Sequence, residues 1–477
     1  MVEREIKFTV GPDFRLPPAL GTPRQPKLIV STYYDTPSYD LTHAGITLRY
    51  RVERGKRAWQ LKLPLCDDRQ EVEIVGRHPI PPPTLLDLLV LHLRQRRLVP
   101  LVTLRVRRAG MVVRRKRRPI AEVSLDAVTV VKDGHIILRF RELEVESLKA
   151  DEEEMRDVAR LVRRAGARDH DGRPKLFRAL SLPAPESAEP PEADAPIVDH
   201  LKWTLIRHVR WLTAHDPGAR LGTESESLHQ MRVAARRLRS VLRAARPILP
   251  HDWNESLAEE LSWLGECLGQ ARDLDVQIAY FQEEIGRLDA PDRKPLAQFV
   301  AHLRSKRAQA QQAVLSELNS ARYFDLVHRL EQAAHDPPVV EAATPETLQT
   351  LAKREFKKLR KAVRHIGPKP NDAALHAVRI KTKRARYAAE LALWSAGKPA
   401  ARFIKQARAV QDVLGAYQDS VTAESYIRSF FKQSSGDRAA FVAGRLIERQ
   451  RQRRELLRDE LPELLNTLLK RGKRAWL

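Results

Sequence analysis

Cysteine is nearly absent from this sequence: Cys66 and Cys267 are the two in 477 residues, far apart and in no CxxC or other metal-binding spacing. That excludes a disulfide framework and a structural zinc site, and it fits free thiols in a reducing cytoplasm. Long apolar runs are missing too, so no stretch reaches the roughly 20 residues that a membrane-spanning helix needs. The opening Met1-Val2-Glu3-Arg4-Glu5-Ile6-Lys7 is too charged for the apolar core of a secretory signal. A cytoplasmic location with no membrane partner is therefore expected. Trp, Tyr and Phe together make up 6% of the residues. Such scarcity leaves few stacking platforms for single-stranded nucleic acid and disfavours that partner, although contact with backbone phosphates stays open. Acidic residues are outnumbered, 61 Asp and Glu against 85 Lys and Arg, for a net charge of +24. A balance this basic needs anions at the surface or in a cavity, and phosphate-rich ligands are the first expectation.

A compositional seam divides the chain. Residues 183–196 read PAPESAEPPEADAP, with no positive charge and no apolar periodicity, as a semi-extended linker. Before it, residues 1–182 return again and again to period-two alternation, as at 28–34, 46–52, 58–63, 101–107, 120–131 and 136–145. Helical patterns interrupt at 84–93 and 152–165. So many strands imply an antiparallel sheet or barrel of α+β type. After the linker, residues 197–477 carry long 3.6-residue periodicity and almost no strand signal, which predicts an all-α domain.

In a half-buried strand alternate residues share a face, and in the first domain the shared faces are charged. They carry Glu3, Glu5 and Lys7; Arg49 and Arg51; Glu71 and Glu73; Arg105 and Arg107; and Glu142, Glu144 and Glu146. Any one of these faces could simply meet water. Their repetition, Glu on some strands and Arg on others, instead predicts a barrel with an ionic interior. Arg and Lys hold phosphate chains by charge-assisted, often bidentate bonds. Clustered carboxylates suit Mg²⁺ or Mn²⁺, which bridge to phosphate and polarise it or activate water. Hydrolysis of a phosphoanhydride is the reaction such a site serves, since it needs positioning and charge neutralisation more than a covalent nucleophile.

The run Glu3-Arg4-Glu5-Ile6-Lys7 matches an ExExK signature, and further matches follow it in order. They are Tyr34-Asp35-Thr36-Pro37, Leu48-Arg49-Tyr50-Arg51, Gln60-Leu61-Lys62, Arg69-Gln70-Glu71-Val72-Glu73, Glu122 to Asp126, Glu142 to Glu146, and Pro174 to Leu180. Together they resemble the CYTH family, the triphosphate tunnel metalloenzymes, across nearly all of residues 1–182. The resemblance implies an eight-stranded antiparallel tunnel. It implies catalytic roles for Glu3, Glu5, Lys7 and Lys62, and metal ligation by Glu3, Glu5, Asp126 and members of Glu142, Glu144 and Glu146. It also implies a grip on triphosphate by Lys7, Arg49, Arg51, Lys62, Arg105, Arg107 and Lys175. The basic stretch from Arg114 to Arg118 reads equally well as a solvated turn closed by Pro119.

The second domain repeats itself. Leu228-His229-Gln230-Met231-Arg232-Val233 is echoed by Leu375-His376-Ala377-Val378-Arg379-Ile380, a step of 147 residues from His229 to His376. A second block, Leu268 to Asp273, is matched by Leu414 to Asp419. The domain is thus a duplication of one helical unit, expected as a pair of packed bundles. His229, Arg232, Arg236, Arg239 and Arg243 are spaced to form one stripe on a helix, and His376, Arg379, Lys383 and Arg386 repeat it. Like charges at this spacing repel, so a stripe without an intervening carboxylate needs an anionic partner. This pattern is similar to the CHAD family over roughly residues 200–470. The resemblance implies binding of inorganic polyphosphate, with His229, Arg232, Arg236, Arg239, His376, Arg379, Lys383 and Arg386 as contacts.

The leading expectation is a cytoplasmic, Mg²⁺- or Mn²⁺-dependent inorganic triphosphatase that carries a polyphosphate-binding module and associates with polyphosphate granules. The alternatives are a non-catalytic polyphosphate-binding or granule protein, and a hydrolase of nucleoside, thiamine or RNA triphosphates.

Overall fold

The computed structural model describes residues 5–64, 69–76, 80–94, 96–116, 118–183, 190–192, 195–223, 225–339, 345–367, 370–432 and 436–477. Glu3, Cys66 and Arg117 lie outside the described residues. The chain divides into two compact units, the first comprising residues 1–187 with 213–218 and the second residues 188–212 with 219–477.

The first unit is one antiparallel sheet of strands β1 (Glu5–Thr9), β2 (Thr22–Asp35), β3 (Thr47–Glu53), β4 (Lys56–Pro64), β5 (Arg69–Val75), β6 (Val99–Arg115), β7 (Arg118–Lys132), β8 (His135–Ser147) and β9 (Arg168–Asp169), in the spatial order β5-β4-β3-β2-β6-β7-β8-β1-β9. Tight turns set the hairpins. Arg54-Gly55 between β3 and β4, and Asp133-Gly134 between β7 and β8, all take positive φ, as two-residue connections between twisted strands require. Instead of a closed eight-stranded tunnel, the described residues form an open sheet of nine strands. The extra strand, β9, is two residues paired to β1, and no ladder joins it to β5. So short an edge cannot carry a closing ladder.

Helices α1 (Asp40–His43), α2 (Pro83–Asp87), α3 (Val90–Leu93), α4 (Glu152–Arg164) and α5 (Lys175–Ala179) complete this unit. Alternation gives the sheet two unlike faces. On one, Phe8, Met111, Val113, Val123, Leu125, Leu143 and Val145 pack beneath Met155, Val158 and Val162 of α4. That helix is started by a reciprocal cap: Asp151 accepts from the Glu154 N–H while the Glu154 carboxylate accepts from the Asp151 N–H. The other face changes character along its strands. At one end Ile29, Val102, Leu104, Val106, Val128 and Val130 bury against Leu176 and Ala179 of α5. Beyond α5 the same face becomes ionic.

The second unit is helical: α6 (Ile197–Leu221), α7 (Ser225–Ala245), α8 (His251–Gly286), α9 (Ala290–Leu318), α10 (Ala321–His335), α11 (Pro345–Arg364), α12 (Asp372–Leu391), α13 (Leu393–Phe431) and α14 (Asp437–Trp476). The two repeats appear as the pairs α7–α8 and α12–α13, and α7 packs directly on α12. Leu228, Met231, Leu238 and Leu242 are fully buried on α7, as are Leu375 and Val378 on α12. Each basic helix is therefore anchored by one stripe and left to present cations on the next. No described helix is long and apolar enough to cross a membrane.

Candidate functional site

Register places the acidic residues of the first unit side by side. Across β7 and β8, Asp126 stands opposite Glu142, Ser124 opposite Glu144 and Glu122 opposite Glu146. Across β8 and β1, Glu144 stands opposite Lys7 and Glu146 opposite Glu5. Oxygens of Asp126, Glu142 and Glu144 lie within 4.8 Å of one another. Asp126 and Glu142 are wholly buried. Three buried carboxylates repel unless a cation joins them, and here the cation is Lys175, at the first turn of α5. Its Nζ lies 2.6 Å from Asp126 Oδ2, 2.8 Å from Glu142 Oε1 and 2.8 Å from Glu144 Oε1. Arg108 adds a fork, donating from Nε and Nη2 to both Asp126 oxygens at 2.7 Å and from Nη2 to Glu144 Oε2 at 2.6 Å.

These pairings set the charge states. Burial alone would lower the Lys175 ammonium, but Asp126, Glu144 and Glu142 outweigh it and hold the proton on. Burial opposes ionisation of Glu144 as well, yet Lys175 and Arg108 hold its carboxyl below the ordinary value. Glu5 moves the other way, raised first by burial and then by Glu144, with Lys7 only partly offsetting them. A carboxyl raised in this way gains from an added cation. Hard oxygen donors at this spacing fit a divalent metal ion, held by Asp126, Glu142 and Glu144 once Lys175 withdraws. Glu146 sits one step further along the same face, opposite Glu5 and Glu122.

The expected phosphate-binding residues divide between two faces. Arg49, Arg51 and Lys62 share the ionic face with the acidic cluster, following the register from β2 through β5. There Arg49 donates to Gln60 Oε1 at 2.8 Å and to the Tyr33 hydroxyl at 3.3 Å, Arg51 pairs with Glu53, and Lys62 lies 3.1 Å from Glu71. Lys7 is on this face too, 3.8 Å from Glu144 and 3.7 Å from Glu5. Arg105 and Arg107 are not; they alternate with buried Leu104 and Val106 and stand exposed on the opposite face of β6. Arg108, which the sequence reading passed over, takes the inner position. With Arg24, Lys27, Arg54 and Glu122 it lines a cavity of about 260 Å³.

In the second unit the two basic helices line two cavities of about 470 Å³ each. One gathers His229, Arg232, Arg236, Arg239, Arg379 and Lys383, so six of the eight expected contacts meet there. His376 does not line it but stands exposed at its edge, with Nδ1 3.1 Å from Oε1 of the lining residue Gln418. Arg386 is buried, its Nε 3.6 Å from Glu390 and its guanidinium over the Tyr387 ring. Residues from the second repeated block, Arg272, Asp273, Gln418 and Asp419, complete this cavity; their repetition was legible, their place was not. The second cavity shares Arg236, Arg239 and Lys383, and adds Arg243, Arg354, Lys358 and Arg384. Burial, reinforced by Arg272, lowers the His229 imidazolium, which leaves a neutral ring able to donate to an anion.

An antiparallel-sheet domain with a buried acidic cluster is thus followed by a duplicated helical domain with cationic cavities. Comparison with known proteins finds a match for both parts: the CYTH domain model matches residues 1–169 and the CHAD domain model matches residues 204–428. An uncharacterized protein of Mycobacterium tuberculosis is 28% identical over 510 aligned positions, covering 99% of this chain and 97% of that one. Among solved structures, the CHAD domain from the plant Ricinus communis is 28% identical, covers 59% of this chain and 95% of its own, and superposes with a TM-score of 0.49. PptA from Streptomyces chartreusis is 20% identical, covers 57% of this chain and all of its own, and gives a TM-score of 0.49.

Proposed function

We propose that the CYTH unit hydrolyses inorganic triphosphate with Mg²⁺ or Mn²⁺, and that the CHAD unit binds inorganic polyphosphate. The observation that carries the first part is the convergence of Asp126, Glu142 and Glu144 with Lys7, Lys175 and Arg108, on the face of the sheet that also bears Arg49, Arg51 and Lys62. In this reading Glu5, Asp126, Glu142 and Glu144, joined by Glu3 and Glu146, hold the cation. When bound, the ion polarises the phosphoryl group or activates water. Lys7, Arg49, Arg51, Lys62 and Arg108 orient the triphosphate and neutralise charge that builds on its oxygens. Lys175 holds the three carboxylates together, and with a cation bound there instead its ammonium would be free to contact phosphate. Six cationic or donor side chains around one cavity support the second part, along with the scarcity of aromatics that nucleic-acid stacking would use. Association with polyphosphate granules follows from that affinity.

The test is phosphate release from triphosphate, ATP, thiamine triphosphate and long-chain polyphosphate, with Mg²⁺ or Mn²⁺ and then with chelator. Metal-dependent release fastest from triphosphate is expected. Release unaffected by chelator would overturn the metal assignment. Faster release from ATP or thiamine triphosphate would move the substrate to an organic triphosphate. No release from any of them, with polyphosphate still bound, would leave a binding protein.

A further inference from the structure

Lys383, with Arg236 and Arg239, lines both cationic cavities at once, and it is the one lysine of the three. No carboxylate is found within ion-pair distance of it among the described residues. The charged groups around it are mostly of its own sign. From α7 come Arg232, Arg236 and Arg239, and from α12 itself Arg379 and Arg386. Helix α11 adds Arg354 and Lys358, with Glu355. The nearby acids are engaged elsewhere. Asp273 of α8 lies 3.0 Å from Arg232 and Glu355 lies 2.5 Å from Lys358, while the Asp419 carboxyl of α13 is raised by burial, with Arg379 the strongest charge opposing that.

We propose that Lys383 is a reactive amine that accepts an acyl group from acyl phosphates docked on Arg232, Arg236 and Arg379, and that this acylation weakens polyanion binding to the cavity. The second half rests on the polyphosphate reading above; the first does not. A nucleophilic amine must be unprotonated, and burial followed by Arg379, Arg236, Arg232 and Arg386 pushes Lys383 down to about 7, against about 10.4 for an ordinary lysine. The same guanidinium groups attract the phosphate of the donor, which brings the carbonyl carbon to the amine. In the reaction the Nζ lone pair attacks that carbon and a C–N bond forms. The C–O bond to phosphate breaks, its electron pair leaves on phosphate, and the nitrogen gives up one proton to the departing phosphate or solvent. No oxidant or metal is needed. The product is a neutral amide where two cavities had shared a cation.

The experiment treats the full-length protein with acetyl phosphate and follows acetylation at each lysine by peptide mass spectrometry. Exposed Lys405 on α13 is the reference. Initial acetylation of Lys383 at neutral pH should exceed that of Lys405 by tenfold or more, and should level off above neutrality while Lys405 continues to accelerate. With chelator present, so that triphosphate is not consumed, inorganic triphosphate should protect Lys383 and leave Lys405 unchanged. Arg236→Gln with Arg379→Gln should remove most of the preference, because it takes away both the phosphate dock and the neighbours that free the amine. Equal rates at Lys383 and Lys405, or no protection by triphosphate, would overturn the reactive site. Polyphosphate binding is then measured across a salt series at pH 6, where the Lys383 amine carries its proton, for parent and Lys383→Gln; loss of one cation should lower the slope of log affinity by roughly 0.7–0.9. An unchanged affinity and slope would overturn the regulatory half. A parent that binds no polyphosphate at all would overturn the polyphosphate reading while the acylation result stands.

Discussion

Lys175 makes the sharpest chemical point at the scale of single residues. The sequence reading put it among the groups that grip triphosphate, yet here its ammonium sits among Asp126, Glu142 and Glu144. Both placements draw on one property, a long side chain with a compact ammonium at the start of a five-residue helix, which suits carboxylate and phosphate oxygens alike. Removing one partner of a buried ionic group leaves charge uncompensated, at a cost of about 3–5 kcal/mol. Lys175→Met should therefore lower stability in chelator by about that amount. Added Mg²⁺ or Mn²⁺ should restore much of it, because the ion binds the folded carboxylates and not the unfolded chain. Urea unfolding with and without metal checks this. Equal stability of variant and parent in chelator, or no response to metal, would mean that the three carboxylates are not a cation site.

Individual strands and helices were legible in the sequence to unequal degrees. Alternation located the acidic face, since Glu5 on β1 and Glu142, Glu144 and Glu146 on β8 keep one parity from end to end. It failed on β6, and the reason is physical. The inner face of that strand is apolar where α5 covers it, at Leu104 and Val106, and ionic beyond, at Arg108. A reader of the pattern who follows Leu104 and Val106 outward is led to assign Arg105 and Arg107 inward, which is the reverse of their placement. No local signal reveals this, because α5 lies about seventy residues further along the chain. The functional expectation changes accordingly. Arg108→Gln should slow triphosphate hydrolysis by tenfold or more, as loss of a bidentate charged contact, while Arg105→Gln and Arg107→Gln should leave kcat/KM within about twofold. Steady-state kinetics on the three variants decides it. A larger loss at Arg105 or Arg107 than at Arg108 would reverse the assignment of faces. On the helices the stripe reading fared better, because α7 and α12 are long and uniformly packed. His376 and Arg386 depart from the shared cavity since one lies near an exposed helix start and the other is turned onto Tyr387.

Taken whole, the molecule pairs two arrangements of charge. The sheet concentrates carboxylates with cations, an arrangement suited to chemistry on a metal-bound anion. The helices concentrate cations with few carboxylates, an arrangement suited to holding a polyanion. The net charge of +24 is legible as an excess of cations, and the composition shift near residue 183 as a division close to that between the two compact units. The number of strands and the open seam between β5 and β9 were not legible, because a two-residue edge strand leaves no periodic trace. The central claim is that the converging carboxylates of the CYTH unit support metal-dependent triphosphate hydrolysis. Its most direct test is phosphate release from triphosphate, with Mg²⁺ or Mn²⁺, by the full-length parent and by Asp126→Asn combined with Glu144→Gln, with circular dichroism verifying the fold and polyphosphate binding monitored alongside. A fall of at least a hundredfold in hydrolysis with polyphosphate affinity unchanged is the predicted result; hydrolysis at the parental rate by a folded double variant would contradict it.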